Sequence, residues 1–419
     1  MITSKKSVIY IVLFSLLLTV FAAAGCGSAG KETSVDKESS PKVQTEDGGE
    51  SDRETTPEDE TEKISPESEE RQIETILEGM SLEDKVAQLF VVTPEKLTGM
   101  DLVTQAGDMT QEAINGLPVA GLVYMDANIV DAQQVTQMLE NVQQFSMDRV
   151  GLPLFLCVDE EGGTVARIAN NENFDVPWVG NMSEIGATGD SDNAYSAGVT
   201  IGIYLRELGF NVDFAPVADV LGYEGYELLM YRSFGTDAGL VADMTSALRQ
   251  GMEESGVQAV YKHFPGHGAA SGDSHEGYVQ VEKTMEELRS WDLVPFQKGI
   301  DDGLGWIMIG HISLPYASSD GLPASLSPEI VTGLLRKEMG FDGIVITDAM
   351  NMGAIADNYS SGDAAVLAIQ AGVDLILEPA DLDSAYQGIL DAVTDGRLTQ
   401  ERIDESLRRI LRAKLELAQ

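Results

Sequence analysis

The stretch Lys262-His-Phe-Pro-Gly-His-Gly268, followed at once by Ala-Ala-Ser-Gly-Asp273-Ser-His275, gathers three of the protein's four histidines into fourteen residues. An amine, imidazoles and a carboxylate in so short a span are the parts of a proton-transfer site. Glycine and proline interrupt any helix or strand here, which makes the segment a loop. It follows Gln258-Ala-Val-Tyr261, a short apolar run of strand type. Functional side chains on a loop leaving a buried strand are a common mounting for an active site. The plain alternative is a surface loop rich in histidine, and the scarcity of histidine elsewhere argues against it. Asp273 and His275 stand two apart, so in an extended backbone they point the same way. The carboxylate then favours imidazolium and fixes its tautomer, as a donor and acceptor of protons near neutral pH requires.

A second carboxylate stands alone much later in the chain. Asp348, in Ile346-Thr-Asp-Ala-Met350, comes directly after an apolar strand run and can act as a nucleophile toward an electrophilic carbon. Its alternative role is the N-cap of the segment that follows. A metal site is also conceivable, since His263, His267, Asp273 and His275 are all potential ligands. Pro265-Gly266 breaks any helix, however, so the two rings of His263 and His267 are not presented on one face as zinc-binding helices do. We expect no metal and no cofactor.

These residues need a frame that brings positions 159 to 378 to one place. Eight strand-like runs recur: Val86–Val92, Gly121–Tyr124, Leu154–Val158, Val212–Pro216, Gln258–Tyr261, Gly305–Ile309, Gly343–Thr347 and Val373–Leu377. Stretches such as 131–145, 192–208 and 238–254 lie between them, with apolar residues at helical spacing. Alternating strands and helices imply a parallel sheet, and eight units imply a closed (β/α)8 TIM-type barrel, with an open doubly wound sheet as runner-up. In such a barrel, functional residues sit where strands end. Asp159 ends the third run, Asp213 and Asp219 flank the end of the fourth, Lys262 and His263 end the fifth, His311 the sixth, Asp348 the seventh and Glu378 the eighth. The strand beginnings carry mostly Gly, Pro and Val.

The ends and the composition bound the rest. Lys5 and Lys6 precede an apolar stretch, Val8 to Ala24, that reads as an export signal. Ala23-Ala24-Gly25-Cys26 resembles a bacterial lipobox, in which Cys26 carries lipid; the alternative is an uncleaved N-terminal anchor. From Gly27 to about Arg71 polar and acidic residues dominate and aromatics are absent, which reads as a disordered tether. The expected organisation is a lipoprotein signal peptide at 1–25, an acidic tether at 26–71 and the barrel domain at 72–419, held extracytoplasmically at a membrane. Cys157 is the only other cysteine, so no disulfide framework is expected. The formal net charge is −42; six basic and 15 acidic residues contribute −9 between 27 and 71, Lys5 and Lys6 contribute +2, and about −35 is left for the barrel. That argues against a nucleic-acid partner, because basic contacts supply most of that affinity.

Six motifs in this order resemble glycoside hydrolase family 3, in its single-domain β-N-acetylglucosaminidase branch. They are Asp159-x-Glu-Gly-Gly-x-Val-x-Arg167, Asn211-x-Asp-Phe-Ala-Pro-Val217, Arg232-Ser-Phe-Gly235, Lys262-His-Phe-Pro-Gly-His-Gly268, Asp273-Ser-His275 and Thr347-Asp-x-Met350. The resemblance implies a retaining mechanism in which Asp348 forms a covalent glycosyl-enzyme and His275, paired with Asp273, is general acid and base. It also implies sugar contacts from Asp159, Arg232, Lys262 and His263, with Met350 and His311 lining the same pocket and Arg167 as either a pocket residue or an ion-pair partner. The chain departs from the family pattern in the loop before Arg232 and at Ala269-Ala270, both of which bear on the leaving-group side. The implied activity is release of terminal GlcNAc from cell-wall muropeptides or chitin-like oligosaccharides. The rivals are a phosphorylase on the same scaffold and a catalytically inactive sugar-binding lipoprotein.

Overall fold

The computed structural model describes residues 66–222, 227–270 and 279–417. The signal segment, Cys26 and nearly all of the expected tether lie outside these residues, as do Asp273 and His275. Within them, each of the eight apolar runs yields one short strand. We label these β1 (Phe90–Val92), β2 (Gly121–Val123), β3 (Phe155–Val158), β4 (Val212–Asp213), β5 (Gln258–Phe264), β6 (Trp306–Ile309), β7 (Ile344–Thr347) and β8 (Ile376–Leu377). They pair in parallel in the order β7, β6, β5, β4, β3, β2, β1, β8. A parallel bridge between Ile346 and Leu375 joins the two ends of that order, with the amides of Asp374 and Leu375 donating to the Val345 carbonyl at 2.8 and 3.0 Å. The sheet therefore closes into the expected barrel and is not an open, doubly wound sheet. Nearly every strand residue is buried, as continuous apolar runs covered on both faces require.

The helices expected between strands form at Ala132–Val150, Ser191–Leu208 and Ala238–Glu254. Asp131, Asp190 and Asp237 cap their first turns, each side chain accepting an amide that the helix leaves unpaired. Three boundaries differ from the sequence reading. Residues 82–87 form a helix capped by Ser81, so the first strand begins only at Phe90. Strand β5 continues through Lys262, His263 and Phe264, so the first three residues of the supposed loop belong to the barrel wall. The peptide bonds Lys262–His263 and Phe264–Pro265 are cis.

The third difference is at the start. A helix spans Pro66–Gly79, so residues 66–71 are helical although their composition placed them in the tether. Their partners come from the far end of the chain: Arg412 pairs with Glu69 and Glu70, Arg408 pairs with Glu74, and Ile73 and Leu77 are buried. The partner helix, Gln400–Leu417, lies across the N-terminal end of the barrel. Its Lys414 is fully buried there, donating to the carbonyls of Ala120 and Pro153 and resting 4.9 Å from the Phe155 ring centroid. At the same end Asp374 is buried against Arg336, Arg402 and Arg409. These charges at the strand beginnings serve the scaffold, in keeping with the division of labour between the two ends of such barrels.

Candidate active site

The loops at the C-terminal ends of the strands enclose a cavity of about 370 Å3. Asp159 and Glu161 enter it after β3, Arg232 after β4, Lys262 and His263 from β5, Asp348 and Asn351 after β7, and Glu378 after β8. A larger cavity, about 620 Å3, opens at the opposite end between strand beginnings and the C-terminal helix, and none of the sequence-predicted site residues lines it. Chemistry, not size, identifies the site.

One wall of the smaller cavity is an ion network. The Lys262 ammonium lies 2.8 Å from an Asp159 oxygen and 2.7 Å from Glu161 Oε1. Arg232 grips Glu161 with two parallel bonds, Nε to Oε2 and Nη2 to Oε1, both 2.7 Å. Paired, two-pronged contacts of this kind fix geometry as well as charge. Burial pulls the Glu161 carboxyl up, but Arg232 and Lys262 outweigh it and hold it well below the usual carboxylate range. Burial pulls Lys262 down, and Asp159 and Glu161 outweigh that, so the ammonium is held above its ordinary value. Arg167 reaches Asp159 at 3.7 Å and Asp126 at 3.1 Å, so it is both a wall of the cavity and an ion-pair partner.

Asp348 lines the same cavity. Its amide donates to the Ile309 carbonyl at 2.8 Å, and one of its oxygens accepts the Ala349 amide at 2.8 Å, which anchors the carboxylate to the barrel rim. Burial alone would raise its pKa. The neighbouring His263 and His311, the Ala349 amide and Lys262 more than offset burial, and the carboxyl is held below its ordinary value. An ionised carboxylate facing a cavity lined with cations is poised to attack a carbon that develops positive charge. His263 is itself held from behind by the buried Asp219, whose Oδ2 is 2.8 Å from Nδ1. The other Asp219 oxygen accepts the His267 amide at 2.7 Å.

The structure thus brings Asp159, Arg232, Lys262, His263 and Asp348 to one cavity, as expected from their positions. Two expected lining residues are elsewhere. Met350 is buried behind the cavity wall, beside Ile355, Tyr359 and Ile376, and it is Met352 that faces the cavity. His311 is also fully buried: its Nε2 donates to the Ala349 carbonyl at 3.0 Å, and its Nδ1 accepts from Ser325 Oγ at 2.8 Å. Burial lowers its pKa, and it braces the residue after Asp348 instead of meeting a ligand. Asp213 does not reach the cavity; burial pushes its carboxyl far up, and one oxygen accepts the Glu160 amide at 2.8 Å.

The sequence reading missed Glu161 and Asn351 as site residues, and it placed Asp219 at the rim without giving it a role. Glu161 stood in a quoted motif, and two cations facing the single carboxylate of Asp159 already called for another anion. Among the described residues, no three His, Cys, Asp or Glu side chains converge as a metal site. Asp273 and His275, the proposed proton-transfer pair, lie outside those residues.

Residues 81–413 match the family model described as the glycosyl hydrolase family 3 N-terminal domain. The chain is 34% identical over 334 residues to Beta-hexosaminidase A of Pseudoalteromonas piscicida, covering 74% of this chain and 55% of that protein. It is 35% identical over 285 residues to Beta-hexosaminidase LpqI of Mycobacterium tuberculosis, covering 63% and 68%. Among solved structures, a glycoside hydrolase family 3 beta-N-acetylglucosaminidase from Paenibacillus sp. superposes with a TM-score of 0.75 at 37% identity, covering 81% of this chain and 63% of that one. A family 3 glycosyl hydrolase from Mycobacterium smegmatis gives a TM-score of 0.71 at 33% identity, covering 81% and 98%. The chain spans little more than half the length of the first of these relatives.

Proposed function

The chain belongs to glycosyl hydrolase family 3, and from that premise we propose that it is a retaining exo-β-N-acetylglucosaminidase. The observation that carries the reading is the placement of Asp348. Its carboxylate, held ionised, shares one cavity with the Asp159–Lys262–Glu161–Arg232 network. In this reading the terminal sugar lies in the cavity with its hydroxyls on Asp159 and Lys262 and its acetamido group toward Arg232. Charge-assisted bonds of this kind tighten as the ring gains oxocarbenium character. Asp348 attacks the anomeric carbon, the glycosidic oxygen leaves with a proton from His275, and a glycosyl ester remains on Asp348. His275, paired with Asp273, then takes a proton from water, which opens the ester and releases GlcNAc. The assignment of Asp273 and His275 rests on their motif alone. An imidazole here replaces the second carboxylate that most glycosidases use, with the same acid–base logic.

The substrates we favour are GlcNAc-terminated cell-wall fragments and chitin-like oligosaccharides. The N-terminal sequence supports a protein tethered outside the cytoplasm through lipid on Cys26, which mass spectrometry of the mature N-terminus would test. The enzyme reading is tested by incubating the purified protein with an aryl β-GlcNAc and defined oligosaccharides. Release of GlcNAc by the wild type, with a loss of at least about a thousandfold in Asp348→Asn, is expected for a missing nucleophile. Near-wild-type turnover in the variant would remove Asp348 from that role. GlcNAc-1-phosphate as the main product in phosphate buffer would replace hydrolysis by phosphorolysis.

A further inference from the structure

We infer that Glu378 is a specificity-determining residue that accepts the C6 hydroxyl of the terminal sugar, an inference that rests on the glycosidase reading above. Glu378 is buried, and it lines the same cavity as Asp348. No step of the proposed reaction employs it.

Both its backbone and its side chain are constrained. Among the described residues, Glu378 is the one residue other than glycine with a positive φ, at 46°. A side chain in that left-handed region carries strain that glycine would relieve, and such strain concentrates at ligand-binding sites. The carboxylate is fixed from two neighbouring strands. One oxygen accepts the Thr93 amide, directly after β1, and the other accepts Asn351 Nδ2 at 3.4 Å, from the turn after Asp348. The Met350 amide donates to the Leu377 carbonyl at 2.9 Å, which joins that turn to β8. An ionised carboxylate offers about four acceptor positions, so about two are left for a ligand. A purely structural carboxylate would be sealed away from the cavity, as Asp213 is. Glu378 is not.

The strand order says which part of the sugar it meets. In the closed ring of strands, β3 stands four places from β7, and β4 stands four places from β8. Asp348, after β7, takes the anomeric carbon, so the far end of the pyranose, C4, lies toward Asp159 after β3. Arg232 after β4 and Lys262 on β5 occupy one flank and take the substituents of C2 and C3. The other flank belongs to β8, β1 and β2, and it meets C5, its hydroxymethyl group and the ring oxygen. Glu378 is the charged residue lining that flank, where Val123, Met125 and Leu377 supply apolar surface for the C5–C6 edge. A hydroxyl that donates to a carboxylate makes a strong, charge-assisted bond. A 6-deoxy sugar, or one esterified at O6, has no proton to give there and leaves the buried carboxylate short of a partner. The site therefore selects a terminal sugar with a free C6 hydroxyl.

The test assays the full-length protein on 4-nitrophenyl β-GlcNAc and on its 6-deoxy analogue. Any wider effect of the Glu378 charge on the developing oxocarbenium falls on both substrates alike, so their ratio isolates the hydroxyl contact. The wild type should favour the parent in kcat/KM about ten- to a hundredfold, the size of a hydrogen bond to a charged group. Glu378→Gly should fold, because glycine relieves the positive φ, and should bring that preference close to one. Glu378→Gln, which keeps an acceptor without the charge, should fall between. A Glu378 that only supports the Thr93 amide would slow both substrates equally and leave the ratio at its wild-type value in both variants, which overturns the assignment. A wild type that turns over the two substrates alike also overturns it and leaves the glycosidase reading intact. A wild type that turns over neither overturns both.

Discussion

Asp219 and His263 form a buried pair, 2.8 Å apart, placed so that the carboxylate holds the ring from behind while the ring faces the cavity and Asp348. The same carboxylate accepts the His267 amide, so one side chain sets the course of the chain from the end of β5 into the loop beyond. Asp219→Ala would strand these buried donors, at about 1–3 kcal/mol for each. We expect kcat/KM on an aryl β-GlcNAc to fall roughly ten- to a hundredfold. Asp219→Asn, which keeps an oxygen acceptor, should lose less. Steady-state rates of the two variants decide the matter, and a wild-type kcat/KM in Asp219→Ala would show that His263 needs no such support.

His263 also acts on Asp348. It is the foremost of the neighbouring charges that hold the Asp348 carboxyl below its ordinary value against the opposing effect of burial. The acid limb of kcat/KM that reports this carboxyl should therefore lie below the usual aspartate range. In His263→Gln it should move to higher pH, because burial is then less opposed. A pH–rate profile of the two proteins checks the direction; an unmoved limb would separate the two groups electrostatically.

Glu161 is predicted to couple the site to stability. Its carboxyl is depressed on folding, so its contribution is complete above its ordinary value of 4.5 and is lost as the pH falls below that. Glu161→Gln leaves Lys262 and Arg232 with one anion fewer in a buried setting, and we expect about 3 kcal/mol of destabilisation at pH 7. The gap between variant and wild type should narrow at pH 3. Urea unfolding at both pH values measures it, and a gap that stays constant would contradict the linkage.

Lys414, at the other end of the barrel, should also make stability rise with pH, but in a higher window. Burial pushes its amine down to about 7, far below the ordinary 10.5. A neutral amine still has the hydrogens for the carbonyls of Ala120 and Pro153. Between pH 7 and 10 the unfolded chain holds this proton and the folded one does not, so stability should rise with pH by up to about 1.4 kcal/mol per unit. Lys414→Met should remove that slope. Thermal or urea unfolding across this range reads it directly.

Much of this arrangement was legible in the sequence, for a definite reason. A polar residue directly after a buried apolar run in an α/β pattern must lie at a barrel rim, and that alone located Asp159, Lys262, His263 and Asp348. Rim position does not say which way a side chain points, and there the reading failed. Met350 stands two residues after Asp348, but β7 ends at Thr347, and the turn that follows breaks the alternation that would have set both on one side. His311 ends its strand run as expected, yet it turns inward to Ser325 and the Ala349 carbonyl. Glu161 went unassigned because its task is defined by Arg232, 71 residues away in sequence. Residues 66–71 look like tether by composition. Arg412, which pairs with Glu69 and Glu70, lies more than three hundred positions later.

That last pairing has a mechanical consequence. The opening helix lies along the closing one, with Glu69 and Glu70 near Arg412 and Glu74 near Arg408, and Lys414 next along the same helix is rooted in the barrel floor. A pull on the chain at Pro66 is therefore taken up as shear along two zipped helices at the floor, remote from the rim that carries Asp348. Tension applied there would leave the mouth of the cavity undistorted.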